Sequence, residues 1–364
     1  MSKTRRLISI VGVSVWKDIP PEKQNKKEIQ KLVNKIKNNP NMSVEMSICS
    51  GVQRLPAYQK DEIVHHLLAP SSEAAVVAAQ AIQQVTEEMG GKCIFNENQD
   101  RIDGLDPYDS TAFLQRGLPS LLERIRRIVE WDCTNVPNDP RVLVNVTSGY
   151  KAITPYTSAM AFLYRLPLIY KYEQSSSILV MHPLPVELDT SLVAAHYEAF
   201  AQLRHGASVA DWKDREDYQK LLQLGYIDEI DEVCALNGTG SLLLFAFERN
   251  AVVVDITREA REALSKHKQL NDVAFKFAGD AQLRENKTEL KNGHLVYDDG
   301  DNPFRIFYEK GLVPRIYGAF ADHDEYERQL RKPKPIHIVY KRVKILREQG
   351  DYIVQTLPGV NSIS

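Results

Sequence analysis

The chain has 364 residues, 43% of them hydrophobic and 26% charged, which provides core for two or three soluble domains. A formal net charge of -2 with a pI near 6.5 excludes a global pull toward nucleic acid, so any such binding has to come from a local patch. Uncharged runs such as the 13 residues of Ala152 to Tyr164, none longer than the 15 of Val233 to Phe247, are too short to span a bilayer, and Leu7 to Val15 is too broken by Ser9, Gly12 and Ser14 to be a signal segment, so a cytoplasmic protein is expected. The four cysteines, Cys49, Cys93, Cys133 and Cys234, stand far apart without CxxC spacing, which argues against a zinc site or a disulfide framework and for structural thiols in a reducing compartment.

Residues 1 to about 187 alternate between strand and helix patterns. Leu7 to Val13 is an apolar strand that ends in the turn Gly12-Val13-Ser14. Lys23 to Lys37 carries Ile29, Leu32, Val33 and Ile36 at helical spacing, and Ser47 to Gly51 and a third apolar run, Glu62 to Leu68, follow. Ser71-Ser72-Glu73 predicts a helix cap before the Ala/Val-rich Ala74 to Val85, Lys92 to Phe95 a short strand, and Phe113 to Trp131 a helix feeding the buried strand Val142 to Val146. Such alternation predicts a parallel sheet with helices on both faces and ligands outside the carboxyl ends of its strands. Both Gly12-Val13-Ser14 and Thr147-Ser148-Gly149-Tyr150-Lys151 fall on that edge. Small residues there admit close backbone approach, hydroxyls and N-H groups donate, and Lys151 adds charge, a combination suited to a phosphodiester. The plainer reading is an ordinary turn with a solvated lysine.

The segment resembles the CARF domains, Rossmann-like sensors attached to type III CRISPR-Cas systems. The resemblance covers about half the chain and rests on Ile10-Val11-Gly12-Val13-Ser14, on Leu67 to Glu73 before an Ala-rich helix, on Gly117-Leu118 opening a long helix, and on Asn145 to Lys151. It implies a homodimer that binds a cyclic oligoadenylate across its two-fold axis, cyclic tetra-adenylate first and cyclic hexa-adenylate as the alternative. The ligand contacts it implies are Gly12, Val13, Ser14, Ser50, Thr147, Ser148, Gly149 and Lys151. This chain has Ser148 where many relatives carry a second Gly, and Pro155 is either a first-turn residue capped by Thr154 or a kink in a helix already begun.

Residues 190 to 250 predict two helices, His196 to Arg204 and Asp214 to Leu224, then Val233 to Leu236, a Gly-rich turn at Asn237 to Gly240 and a strand Ser241 to Phe247. That is the order of a winged helix-turn-helix. The second helix carries as much acid as base, a poor DNA surface, so a structural connector is the expected role.

Residues 251 to 331 predict a compact α+β unit: strand Ala251 to Ile256, helices Thr257 to Lys268 and Asn271 to Leu283, strands His294 to Tyr297, Phe304 to Tyr308 and Pro314 to Phe320, and a helix from Asp324. The unit resembles the RelE-like mRNA interferases, toxins that cut messenger RNA in the ribosomal A site. Asn302 to Tyr308 is similar to their central strand with its Arg, and Arg315 to Phe320 followed by Asp322 to Tyr326 to their last strand and catalytic end. Cleavage of RNA without a metal needs a base for the 2'-hydroxyl proton, cations for the phosphorane and an acid for the 5'-oxygen. Arg305, Arg315, Lys291, His323 and Tyr326 are the types required and the expected catalytic set, with Lys287 on the RNA backbone. The plainer reading of each is a solvated surface side chain. No matching carboxylate pair predicts a nuclease metal, and no cofactor is expected.

Arg331 to Arg347 holds seven Lys or Arg and no acid, the missing basic patch. Residues 332–364 are expected to form a basic extension, a strand or arm with Lys332, Lys334, Lys341, Arg342 and Lys344 on ribosomal RNA, or else a solvated arm. The sequence thus predicts an α/β fold, with a Rossmann-like sensor over 1–187, a winged-helix connector over 190–250 and a RelE-like ribonuclease over 251–331. Its function would be to cut mRNA on the ribosome when a cyclic oligoadenylate binds. A DNA-binding transcription regulator and a sensor fused to a metal-dependent nuclease are the alternatives.

Overall fold

The computed structural model describes residues 3–17, 19–20, 23–132, 141–172, 175, 177–300, 302–348 and 351–357. Cys133 lies outside them; Cys49, Cys93 and Cys234 are not in disulfides. The chain forms two compact units, Met1–Leu188 with Leu222–Leu242, and Asp189–Leu221 with Leu243–Ser364. Among the described residues no helix is long and apolar enough to cross a membrane.

The first unit runs β1 (Thr4–Ile10), α1 (Ile29–Asn38), α2 (Val44–Gln53), β2 (Glu62–Pro70), α3 (Glu73–Glu88), β3 (Lys92–Ile94), α4 (Glu97–Asp100), β4 (Arg101–Ile102), α5 (Ser110–Ala112) leading through a π-turn into α6 (Leu118–Asp132), β5 (Val142–Asn145), α7 (Thr154–Leu163), β6 (Leu168–Lys171) and β7 (Ile178–Met181). The strands order as β3-β2-β1-β5-β6-β7, with β4 extending the β2 edge. All pairs are parallel except β6 with β7. Parallel strands are covered on both faces, which is why Val142-Leu143-Val144-Asn145 reads as an unbroken run with every residue buried. Leu67 and Ala69 pack on α1 and α3, while Leu7, Ile63 and Leu143 pack on Ile48 and Val52 of α2. Each such fully buried aliphatic side chain contributes roughly 1.5–3 kcal/mol. Ser72 caps α3 by accepting from Ala75 N, as the sequence predicts.

The connecting region holds α8 (Ser191–Ala195), α9 (Tyr197–Leu203), the two-residue β8 (Ala207–Ser208), α10 (Val209–Trp212), α11 (Glu216–Gln223), the antiparallel hairpin β9 (Ile227–Ile230) with β10 (Val233–Leu236), and α12 (Gly238–Glu248). Here the sequence reading is corrected: Asn237 to Gly240 is no hairpin turn and Ser241 to Phe247 is no strand. Asn237 Oδ1 accepts from Thr239 N at 3.0 Å and Gly240 N at 3.1 Å, capping α12. A short run apolar on every side fits a buried helix as well as a strand. The hairpin turns instead at Asp231, whose φ is 54°.

The second unit continues with β11 (Ala251–Ile256), α13 (Arg258–Lys266), α14 (Lys268–Gly279), α15 (Ala281–Asn286), β12 (Thr288–Lys291), β13 (His294–Asp298), β14 (Arg305–Glu309), β15 (Arg315–Phe320), α16 (His323–Leu330), β16 (Lys341–Glu348) and β17 (Asp351–Thr356). Its sheet orders as β12-β13-β14-β15-β11-β16-β17, antiparallel except where β11 runs parallel to β15. α13 and α14 bury Leu264, Val273 and Phe277 on one face, against Val254, Ile256, Tyr297, Ile306, Tyr308 and Val343. The smaller cluster of Val296, Phe307, Phe320 and Tyr326 lies on the opposite face, under α16.

The basic extension joins the second sheet. Lys341 to Glu348 is a strand paired with β11 over Lys341 to Leu346, and Val343 and Ile345 alternate into the core. Arg342 is 8% exposed. Its guanidinium meets both Asp255 oxygens, at 2.8 and 3.0 Å, and reaches Glu198 at 3.1 Å. Burial works against its charge, but the Asp255 and Glu198 carboxylates hold its pKa above the ordinary arginine value. Arg342 is therefore a structural ion-pair partner of Asp255 and Glu198.

Candidate functional site

β1 and β5 are neighbours in register, Ser9 opposite Asn145, so the turns that follow them emerge side by side at the carboxyl edge. A methyl built on Gly12 would stand 3.7 Å from Gly149 N. Gly149 has φ 88°, which a side chain opposes. Val13 and Ser14 are exposed beside the gap, Thr147 and Gly149 are half-buried, Ser148 is buried, and Lys151 projects into solvent from a 3-10 turn over Lys151–Ile153. That turn leads into α7 with Pro155 in its first turn and Ile153, not Thr154, at the cap position.

The walls of the gap are polar and come from residues the sequence reading did not select. Glu45, fully buried on α2, accepts from Gly12 N at 2.9 Å and from Ser43 Oγ at 2.9 Å. Burial pushes its carboxyl pKa up, against the hydrogen bonds that lower it. Thr147 Oγ1 accepts from Lys171 N at 2.8 Å, and Lys171 Nζ donates to Ser47 Oγ. Asn145 and Ser9 hydrogen-bond beneath the loop, and His65 meets Ser9 at 2.9 Å. Burial, with the neighbouring His66, pushes the His65 imidazole down to about 3, so it is neutral at physiological pH. The signal for these residues was present as polar letters inside apolar runs: Ser9 within Leu7 to Val13, the His65-His66 pair within Glu62 to Leu68, Asn145 ending Val142 to Asn145.

Ser50 does not belong to the gap. α2 begins at the carboxyl edge, where Glu45 meets Gly12, and runs to the opposite edge, where Gln53 Nε2 donates to Asp61 O just before β2. Ser50 stands near that far end, in a cavity of about 480 Å³ lined also by Met46, Cys49, Arg54, Met89 and Lys92, the first residue of β3. The Ser50 expectation fails because Ser47 to Gly51 lies inside a helix and is not a strand-end turn.

On the α16 face of the second sheet, Arg305 heads β14 opposite Asp298 of β13. Its Nη2 pairs with Asp298 Oδ2 at 2.9 Å, and its Nη1 donates to Asn302 O and Phe304 O, both at 2.7 Å. The guanidinium lies 6.0 Å from the Tyr326 ring centroid, and the His323 ring 5.7 Å from the same ring. His323 is exposed with Nε2 4.0 Å from Glu327. Burial raises the Tyr326 phenol pKa, which keeps it a protonated donor. Lys291 pairs with Glu289 at 2.7 Å, which raises its pKa, and acts electrostatically on Tyr326. Arg305, Tyr326, His323 and Lys291 thus gather.

Arg315 does not join them. β14 and β15 are antiparallel with Arg305 opposite Phe320 and Glu309 opposite Arg315, which puts Arg315 about 17 Å down the strand. It lies 4.0 Å from Asp255 and over the Tyr340 ring. Lys287, Lys332 and Lys341 are exposed, Lys344 is half-buried on β16, and Lys334 pairs with Glu309 at 2.7 Å. His294, which the sequence reading passed over, is buried between Tyr317 Oη and Lys332 O, each at 2.9 Å, and stacks on Phe307. Among the described residues no group of three or more His, Cys, Asp or Glu gathers as a metal site would.

Comparison with known proteins bears on the first unit. Residues 40–185 match the family described as CRISPR-associated protein (Cas_APE2256). No curated protein matches. Among solved structures the chain is similar to Can2 from Sulfobacillus thermosulfidooxidans in complex with cyclic tetra-adenylate, at 11% identity over 86% of this chain and 78% of that one, with a TM-score of 0.26. A likeness that loose carries no weight for fold or site.

Proposed function

We propose that the first unit senses a cyclic oligoadenylate, cyclic tetra-adenylate first, and that two copies of the chain enclose the ring. The observation that carries the reading is the adjacent turns at Gly12 and Gly149 on the carboxyl edge of the sheet, with Ser14 and Lys151 exposed on them. The match of residues 40–185 to a CRISPR-associated family supports the same direction. A phosphodiester ring offers an anion to each turn, and two-fold symmetry of ring and protein lets one patch serve twice.

The second unit, in this reading, is the effector, a metal-independent endoribonuclease acting on ribosome-bound mRNA. Arg305 and Lys291 hold the scissile phosphate. His323, the exposed imidazole of the group, takes the 2'-hydroxyl proton or returns one to the leaving 5'-oxygen, and protonated Tyr326 donates to the phosphorane. The 2'-oxygen bonds to phosphorus as the P-O5' bond breaks, leaving a 2',3'-cyclic phosphate and a 5'-hydroxyl. The connecting region carries the helix, helix, hairpin order of a winged helix in sequence, and the reading gives it the role of connector. Ring binding biases the effector by its differential affinity for two states, so the free protein is nearly inactive.

The test is to map mRNA ends from translating ribosomes with and without cyclic tetra-adenylate, in the presence and absence of EDTA under conditions that keep ribosomes intact. Ring-dependent cuts within the A-site codon that survive EDTA support both halves. Cuts silenced by EDTA move the chemistry to a metal. Duplex-DNA binding that persists after loss of Arg305 and His323, without cleavage, favours a transcription regulator.

A further inference from the structure

Three polar side chains lie beneath the Thr147 turn, in an otherwise apolar layer. Ser9, His65 and Asn145 are each 0% exposed, among Leu7, Leu67, Leu143 and Ile169. Burying such groups costs free energy unless they are bonded, and replacing bonded partners by apolar side chains of the same shape is often close to neutral. Stability alone does not account for them.

Their bonds have a direction. Thr147 N-H can only donate, so the Asn145 atom facing it at 2.9 Å is Oδ1, and that contact fixes which way the amide points. Asn145 Nδ2 is thereby turned to Ser9 Oγ at 3.0 Å and to Ser148 Oγ at 2.9 Å. Ser9 Oγ also stands 2.9 Å from His65 Nε2, a hydrogen bond whose donor is set by the His65 tautomer. Asn145 precedes Thr147 by two residues, and Ser9, opposite it in register, precedes Gly12 by three. One amide group therefore ties Thr147 and Ser148 down and joins them to the strand that leads into the other turn.

We propose that Asn145 is a positioning residue, held in one orientation by Ser9 and His65, that sets the Thr147–Gly149 backbone in the form that receives the phosphodiester ring. Asn145 itself contacts no ligand. The functional half of the assignment rests on the ring-sensing reading above; the ordering of the turn is measurable without any ring.

The experiment compares wild type, Ser9→Ala and Ser9→Thr in two measurements: amide hydrogen exchange of the peptide spanning 146–151 without ligand, and calorimetric binding of cyclic tetra-adenylate and cyclic hexa-adenylate. Ser9→Ala is expected to melt as a folded protein, to exchange the turn amides faster, and to bind the ring roughly tenfold more weakly, the loss of about one buried hydrogen bond. Ser9→Thr keeps the hydroxyl and restores both. If Ser9→Ala fails to fold, the near-isosteric Ser9→Cys, whose thiol is a poor acceptor, carries the same expectation. Wild-type exchange of the turn in a folded variant lacking the hydroxyl overturns the proposal. A turn that loosens in a protein whose wild type binds neither ring supports the positioning role and overturns the ring-sensing reading.

Discussion

The carboxyl group of Glu45 accepts the backbone N-H of Gly12 at 2.9 Å, so a helix side chain with no exposed surface holds the turn that follows β1. Removing it in Glu45→Ala strands the Gly12 N-H and the Ser43 hydroxyl and opens a cavity, and should cost about 2–4 kcal/mol by chemical denaturation. Glu45→Gln keeps an acceptor for Gly12 and should fold near normally. Burial raises the Glu45 pKa, so the folded protein binds a proton that the unfolded chain has released above its ordinary carboxyl value, and wild-type stability from this group declines as pH rises through that window. Glu45→Gln lacks the decline. Relative to wild type it should gain stability as pH is raised from about 4.5.

His65 works in the opposite sense. Its pKa is lowered to about 3 by burial and by His66, while the unfolded chain takes up a proton near 6.5. The unfolded state then binds more protons between those values, so stability present above about 6.5 is lost as pH falls toward 3, with a slope of up to about 1.4 kcal/mol per pH unit. His65→Gln, measured against wild type by denaturant midpoints from pH 3 to 7, should show a shallower acid loss. An unchanged slope would place the proton uptake on another group.

The two glycines of the candidate site should respond differently to a methyl group. Gly149→Ala forces a side chain into φ 88° and within 3.2 Å of Ile10 and Ile153, and should destabilise by about 1–3 kcal/mol. Gly12→Ala meets only ordinary contacts, the nearest at 3.7 Å, and should melt like wild type. Its methyl nonetheless fills the gap between the turns, so ring affinity should fall at least tenfold by calorimetry. Full affinity in Gly12→Ala would move the ring elsewhere.

Arg342 separates a structural from a nucleic-acid role. Arg342→Ala leaves the Asp255 carboxylate, 1% exposed, without its main partner, and should cost about 3–5 kcal/mol. The double variant Asp255→Asn with Arg342→Met should recover part of that loss. Exposed Lys341→Ala should be nearly neutral to folding.

The effector face predicts a ranking. Arg305→Ala and His323→Ala should each lower ring-dependent RNA cleavage roughly 100-fold, whereas Arg315→Lys, about 17 Å along the strand from Arg305, should change it little. Quantified primer-extension products from each variant check the order, and equal losses at Arg305 and Arg315 would undo it.

The main strands of the first sheet were legible because they are buried on both faces, and α3 because Ser72 caps it, so hydrophobic runs and turn residues mark β2, β3, β5 and α3. Ser241 to Phe247 was not, because a helix apolar on all sides leaves no period to read. Ser50 was misplaced for a related reason: local small residues imitate a strand-end turn, and only tertiary packing shows a helix spanning the sheet. The basic segment misled through charge. Lys341, Arg342 and Lys344 alternate with Val343 and Ile345 as a strand does, but the partner that turns Arg342 into a buried ion pair, Asp255, lies 87 residues earlier. Glu45, Ser9 and His65 are likewise defined by contacts distant in sequence.

β11 opens the second sheet in sequence, yet it is flanked in space by β15 on one side and by β16, nearly a hundred residues later, on the other. Without residues 341–348, then, one side of β11 is a bare edge and Asp255 keeps only the distant Arg315 in place of the guanidinium that meets both its oxygens.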